Sequence, residues 1–164
     1  MMHFTKKIFI LFIFFSCFTN DAQELKGKEV LTIFTFEEVE KLQQQKPKPI
    51  LVFLYTDWCK ICFGMKKTTF KNRKVIQLLN EKFYFIKLNA EEKQDITFLG
   101  KMFTYKPTGT TSGMHELAAE LGTIKKTIIY PTTIILNTVF EIDAQLTGLY
   151  NASKMIDILT TYID

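Results

Sequence analysis

Glycine and proline are scarce in this chain of 164 residues, at seven and four, and histidine is scarcer at two. Such counts exclude a collagenous or low-complexity chain, and an apolar share of 47% excludes a disordered one. Basic residues never form a block of about five or more, and the formal charge is only +4, so nothing points to nucleic acid. Three cysteines are too few for a disulfide-scaffolded mini-protein. No apolar run approaches the roughly 18 residues of a membrane span. What is present is one soluble domain's worth of sequence, too short for two full cores and rich in phenylalanine, with 16.

The first residues carry a signal of their own. Lys6 and Lys7 precede an unbroken apolar run over residues 8–15, followed by Ser16, Cys17, Phe18, Thr19, Asn20, Asp21 and Ala22. A basic start, a short apolar stretch and a small residue near its end predict a secretory signal peptide over residues 1–22, cleaved after Ala22. A buried N-terminal helix is the competing reading, but nothing polar interrupts the run to make it amphipathic. Phe14-Phe15-Ser16-Cys17 also weakly resembles a bacterial lipoprotein box, in which case Cys17 would be lipidated and the domain tethered to a membrane. Removing residues 1–22 takes away two lysines and one aspartate and leaves a charge of +3. It also leaves two cysteines, Cys59 and Cys62. A bridge across so small a loop constrains the unfolded chain very little, so reactivity explains the pair better than stability.

The mature chain reads as alternating strands and helices. Thr35-Phe36-Glu37-Glu38 fits a capping box, and Phe36, Val39 and Leu42 follow at helical spacing until Pro47 and Pro49. Residues 50–55, Ile-Leu-Val-Phe-Leu-Tyr, are apolar without alternation, the pattern of a strand buried on both faces. A helical pattern runs from Trp58 through Ile61, Met65, Val75, Leu78 and Leu79, with Lys66, Lys67, Lys71, Arg73 and Lys74 as a solvated face or, less simply, a basic ligand site. Residues 83–88 form a second strand, parallel to the first through a right-handed crossover. Residues 96–105 predict a small hairpin turning at Gly100, residues 106–113 a loop, and residues 115–121 a short helix closed by Gly122. Residues 128–136 read as a strand interrupted by Pro131, residues 139–149 as its hairpin partner, and residues 151–163 as a final amphipathic helix. The sum is α/β with a central mixed β-sheet flanked by helices.

Cys59 and Cys62 sit where a buried strand hands over to a helix. The first helical turn has unpaired amides and the positive end of the dipole, so a thiolate there is stabilised. Cys59 is expected at the helix start and more exposed, with Cys62 one turn in and able to attack its sulfur. Lys60 adds a positive charge of small effect through water. Two thiolates alone make a poor metal site, and the only histidines are His3 and His115. His115 could approach the cysteines as a third ligand, but an exposed helix histidine is the simpler reading, and no metal site is assigned.

From here the sequence resembles the thioredoxin superfamily over most of residues 30–163. The resemblance rests on the strand 50–55, Trp58-Cys59-Lys60-Ile61-Cys62, Lys87-Leu88-Asn89, Tyr130-Pro131-Thr132 and Gly148. Thr56-Asp57-Trp58-Cys59 followed by Met65-Lys66-Lys67-Thr68-Thr69-Phe70 looks most like periplasmic thioredoxin-like domains related to the terminal part of the transmembrane reductant conductor. The resemblance implies a thioredoxin fold, a cis Pro131 that lies against the cysteine pair and shapes a substrate groove, and Trp58 on its rim, with Lys60 and Lys87 supporting. Tyr130 and Thr132 flank the proline and could present backbone groups to an extended substrate chain, with core packing an equal reading of Tyr130. Two departures stand out. Phe53 occupies the position where the family often carries a buried aspartate, and residues 91–127 form an insertion before the cis-proline strand. Within residues 23–164, then, the expectation is a monomeric, exported thiol–disulfide oxidoreductase with Cys59 and Cys62 catalytic. It would need no bound cofactor, act on disulfide-containing exported proteins, and be reset by a membrane redox partner. Reduction is the expected direction. An oxidase or isomerase, and a non-catalytic module binding a partner or copper(I), are the alternatives.

Overall fold

The computed structural model describes residues 29–163. The segment carrying the signal-peptide and Cys17 readings, with His3, lies outside the described residues. Among these, no helix is long and apolar enough to cross a membrane. Helix α1 (Phe36–Gln43) begins at the capping box: the Glu38 amide donates to Thr35 Oγ1 at 3.2 Å, and the Thr35 amide donates to Glu38 Oε2 at 2.8 Å. Strand β1 (Ile50–Tyr55) follows and is buried along nearly its whole length.

The helical stretch after Trp58 is broken where the sequence pattern predicts continuity. Helix α2 (Lys60–Lys67) stops at Thr68, a 3-10 turn spans Thr69–Lys71, and helix α3 (Arg73–Lys82) starts afresh. The break has two local causes. The Thr69 hydroxyl donates to the Tyr150 carbonyl at 2.7 Å, and Asn72 caps α3 by accepting from the Lys74 and Val75 amides. Apolar spacing alone carries no record of either.

Strand β2 (Tyr84–Asn89) pairs parallel with β1, placing Phe53 opposite Lys87. The insertion then contributes two hairpins, β3 (Ile96–Phe98) with β4 (Lys101–Phe103) and β5 (Tyr105–Pro107) with β6 (Gly113–His115). The first turns at Leu99 and Gly100, both at positive φ. The second occupies the stretch read as loop; its tip closes by a 2.9 Å bond from the Thr108 amide to the Ser112 carbonyl. Helix α4 (Glu116–Gly122) ends the insertion. Gly122 lies inside it rather than beyond its end, and a methyl group there would collide with the Leu54 side chain.

Strand β7 (Thr132–Leu136) begins only after Pro131, because a proline cannot donate to the ladder. Strand β8 (Ile142–Thr147) and helix α5 (Ala152–Thr161) complete the chain. The main sheet has the order β2-β1-β7-β8, with β1 parallel to β2 and antiparallel to β7. Alternate residues of β1 divide the core. Ile50, Val52 and Leu54 pack with α1, α4 and the insertion's Phe98 and Phe103, while Leu51 and Phe53 pack with α2, α3 and α5. The result is a mixed sheet flanked by helices, with the cysteine-bearing helix on the second face.

Candidate active site

Everything converges on the C-terminal end of β1. The Cys59 amide donates to the Thr56 carbonyl at 3.3 Å, which turns the chain out of the strand. Cys59 becomes the N-cap of α2, and its Sγ accepts from the Cys62 amide at 3.1 Å. That amide is one of the helix's otherwise unpaired donors, so it and the helix dipole both favour negative charge on Cys59 sulfur. The two cysteines are joined as a disulfide, with Cα atoms 5.2 Å apart. Cys59 retains 7% of its surface and Cys62 none. Of the two, only Cys59 reaches the surface.

The rim is built from the residues flanking this pair. Trp58 is 65% exposed, and its ring meets Tyr130 edge-on at 5.7 Å between centroids. Its indole Nε1 donates to Glu91 Oε1 at 3.0 Å. Asn89 holds the residue before it, donating from Nδ2 to Asp57 Oδ2 at 3.0 Å while its Oδ1 accepts from the Glu91 amide. Burial, and the nearby Glu91 carboxylate after it, push the Tyr130 hydroxyl pKa up. Glu91 went unmarked in the sequence, where it is only the first residue of the insertion. Its contact with Trp58, 33 positions away, leaves no local pattern.

The Tyr130–Pro131 peptide is cis, and the Pro131 carbonyl accepts from the Gly148 amide at 2.8 Å. Gly148 has a φ of +92°, open to glycine and strained for other residues. Among the described residues, no backbone hydrogen bond engages the N–H or C=O of Tyr130. Thr132 is wholly buried and donates its hydroxyl to the Ile129 carbonyl, so its side chain presents nothing to a substrate.

The two lysines expected to support the pair lie on different elements. Lys60 is exposed on the first turn of α2, and Lys87 is exposed on edge strand β2. Phe53 is fully buried, 4.8 Å from the Phe70 ring and 5.8 Å from that of Tyr55, so an apolar stack fills the space beneath the motif. His115 overturns the expectation of an exposed helix histidine. It is wholly buried, its Nδ1 caps α4 by accepting from the Leu117 amide at 3.2 Å, and its amide donates to the Ala90 carbonyl. Among the described residues no group of three or more His, Cys, Asp or Glu side chains is placed to hold a metal.

Known proteins share this fold. The model of the family Thioredox_DsbH (protein of unknown function, DUF255) matches residues 32–138. A thiol:disulfide interchange protein DsbD from Colwellia psychrerythraea is 32% identical over 90 residues, covering 50% of this chain and 15% of that protein. The chain therefore spans only a small part of the curated relatives it matches. Among solved structures, the DsbH oxidoreductase superposes with a TM-score of 0.58 at 14% identity, covering 82% of this chain and 85% of the other. The oxidised C-terminal domain of Neisseria meningitidis DsbD does so at 0.53 and 20% identity, covering 80% and 99%. With its family model matching well over half of its length, the chain belongs to the Thioredox_DsbH family, a thioredoxin-superfamily protein similar to the C-terminal domain of DsbD.

Proposed function

We propose that this protein is an extracytoplasmic thiol–disulfide oxidoreductase that reduces disulfides in exported proteins. The observation that carries the reading is the asymmetry of the pair: Cys59 at the helix N-cap with residual exposure, Cys62 fully buried behind it. The Cys59 thiolate attacks one sulfur of a substrate disulfide, forming a mixed disulfide and expelling the other sulfur as a thiolate. Cys62, deprotonated, then attacks Cys59 sulfur, which releases the second substrate thiolate and leaves the Cys59–Cys62 bond. Two electrons pass from the pair to the substrate, so no bound cofactor is required. A membrane redox partner returns two electrons to the pair. Trp58, Tyr130 and Pro131 form the rim against which the substrate chain lies.

Phe53 supplies no proton acceptor to Cys62, so its proton leaves through solvent or substrate thiolate once the mixed disulfide opens the site. The reading is tested by the reduction potential of the pair, equilibrated against a thiol buffer with Trp58 fluorescence as readout. A value near the thioredoxin value of about −270 mV is expected, and one near about −120 mV would reverse the direction to disulfide formation. Absence of any reversible couple would remove catalysis altogether. In a second experiment, Cys62→Ser is expected to trap the mixed disulfide, whereas Cys59→Ser abolishes its formation; trapping by the Cys59 variant would exchange the roles.

A further inference from the structure

Beside the cysteine helix lies a groove that the exchange chemistry does not use. It encloses about 370 Å³ between α2 and the segment preceding α1. Its apolar surface comes from Val30, Ile33 and Phe63, which are 75%, 47% and 57% exposed, over the buried rings of Phe70 and Phe85. Phe63 follows Cys62 directly, and its amide donates to the Cys59 carbonyl at 3.0 Å, so the groove begins one residue from the redox pair.

Four ammonium groups ring this surface, those of Lys66, Lys67, Lys71 and Lys87, and among the described residues no carboxylate lines it. The ion pairs found among the described residues, Lys41 with Glu37 and Lys106 with Glu116, lie elsewhere. Two of the four lysines rest on aromatic faces instead. Lys66 Nζ is 4.1 Å from the centre of the Tyr55 ring, and Lys67 Nζ is 5.4 Å from that of Phe63. Folding the Lys67 stem over Phe63, whose ring belongs to the lining, holds that charge at the groove's edge. A solvated lysine face needs no apolar floor, and an apolar floor left open to water is unfavourable unless something covers it. The occupant that satisfies both features has carboxylates at its edges and an apolar side chain at its centre.

We propose that this groove docks an acidic protein segment bearing a large apolar side chain, on the protein whose disulfide is exchanged at Cys59. The proposal rests on the thiol–disulfide reading for its biological sense, but the docking is measurable without it. Attachment here raises the local concentration of the substrate disulfide at the rim and steers its approach by charge.

The test uses the full chain and a fluorescent hexapeptide of sequence EDLFED, with QNLFQN as its neutral counterpart. Anisotropy titrations are made at low and high salt on the unmodified chain, on the triple variant Lys66→Gln, Lys67→Gln, Lys71→Gln, and on the corresponding triple arginine variant. Expected is binding of EDLFED over QNLFQN that weakens with salt, falls about tenfold in the glutamine variant and returns in the arginine variant. Phe63→Ser weakens both peptides, because it removes floor rather than charge. The same variants are assayed for exchange with glutathione disulfide and with a disulfide peptide extended by EDLFED. The glutamine variant is expected to lose far more kcat/KM for the extended substrate than for glutathione disulfide, which carries carboxylates but no apolar side chain for the floor.

Equal binding of EDLFED to the unmodified chain and the glutamine variant overturns the proposal. So does lysine-dependent binding to phosphatidylglycerol vesicles without peptide binding, which makes the groove a membrane surface. Failure to exchange glutathione disulfide in the unmodified chain overturns the redox reading instead, and leaves the peptide titration to judge the groove alone.

Discussion

Trp58 is the residue through which the insertion and the redox pair meet. Its indole is held by Glu91 and leans on Tyr130, so the rim's largest apolar surface has a fixed pose rather than a free one. Replacing Glu91 by glutamine keeps an acceptor and changes little. Glu91→Ala frees the indole and is expected to alter Trp58 emission and raise KM for a peptide disulfide a few-fold, with kcat for glutathione disulfide nearly unchanged. Stability should fall by no more than about 1 kcal/mol, the value of one net hydrogen bond, measured by denaturant titration. The chemistry-bearing cysteines were legible because Cys-x-x-Cys after an apolar strand is a local pattern. Glu91 was not, and Asn89 was marked only as part of Lys87-Leu88-Asn89, since their contacts depend on which loop the fold returns to the end of β1. His115 failed for the same reason: a polar residue at a helix start looks exposed until it is known to belong also to strand β6 and to bond Ala90, just past the end of β2.

At the scale of elements, local rules predict well where a single side chain decides the outcome. Thr35 and Glu38 begin α1 as their spacing requires, and Thr35→Ala is expected to cost about 1 kcal/mol in thermal or urea unfolding. Strand β1 was recognisable from its unbroken apolar run, and its burial on both faces follows from helices lying on each side. Gly122 shows the limit of such rules. A glycine at the end of a helical pattern reads as a terminator, yet its position inside α4 is explained by the approach of Leu54 across the core. Gly122→Ala therefore forces a side-chain shift in a packed interior, with an expected loss of about 1–3 kcal/mol and little change in helix content by circular dichroism. The joint between α2 and α3 was illegible because the Tyr150 carbonyl that engages Thr69 lies 81 residues away.

For the molecule as a whole, two carboxyls at separate places are held so that weakening by acid is expected. The Thr35 amide and hydroxyl hold the Glu38 carboxyl below its ordinary 4.5, and the Thr104 amide and Lys106 do the same for Glu116. A carboxylate whose folded pKa is depressed contributes fully above its unfolded value, and the contribution is lost as pH falls through the folded one. Stability should thus decline from about pH 4.5 downward, and Glu38→Gln with Glu116→Gln should flatten that decline in urea titrations across the acid range. An unchanged slope would mean that other carboxylates govern acid unfolding. The insertion, meanwhile, is sewn to the sheet by its main chain: the Ala90 amide donates to Tyr55, and the His115 amide to Ala90. Between these fixed ends, residues 108–112 form a closed, solvent-exposed hairpin tip. For the experimenter that tip is a splice point. A foreign epitope placed between Thr110 and Thr111 is anchored at both sides, remote in sequence from Cys59, and should leave the reduction potential where it was.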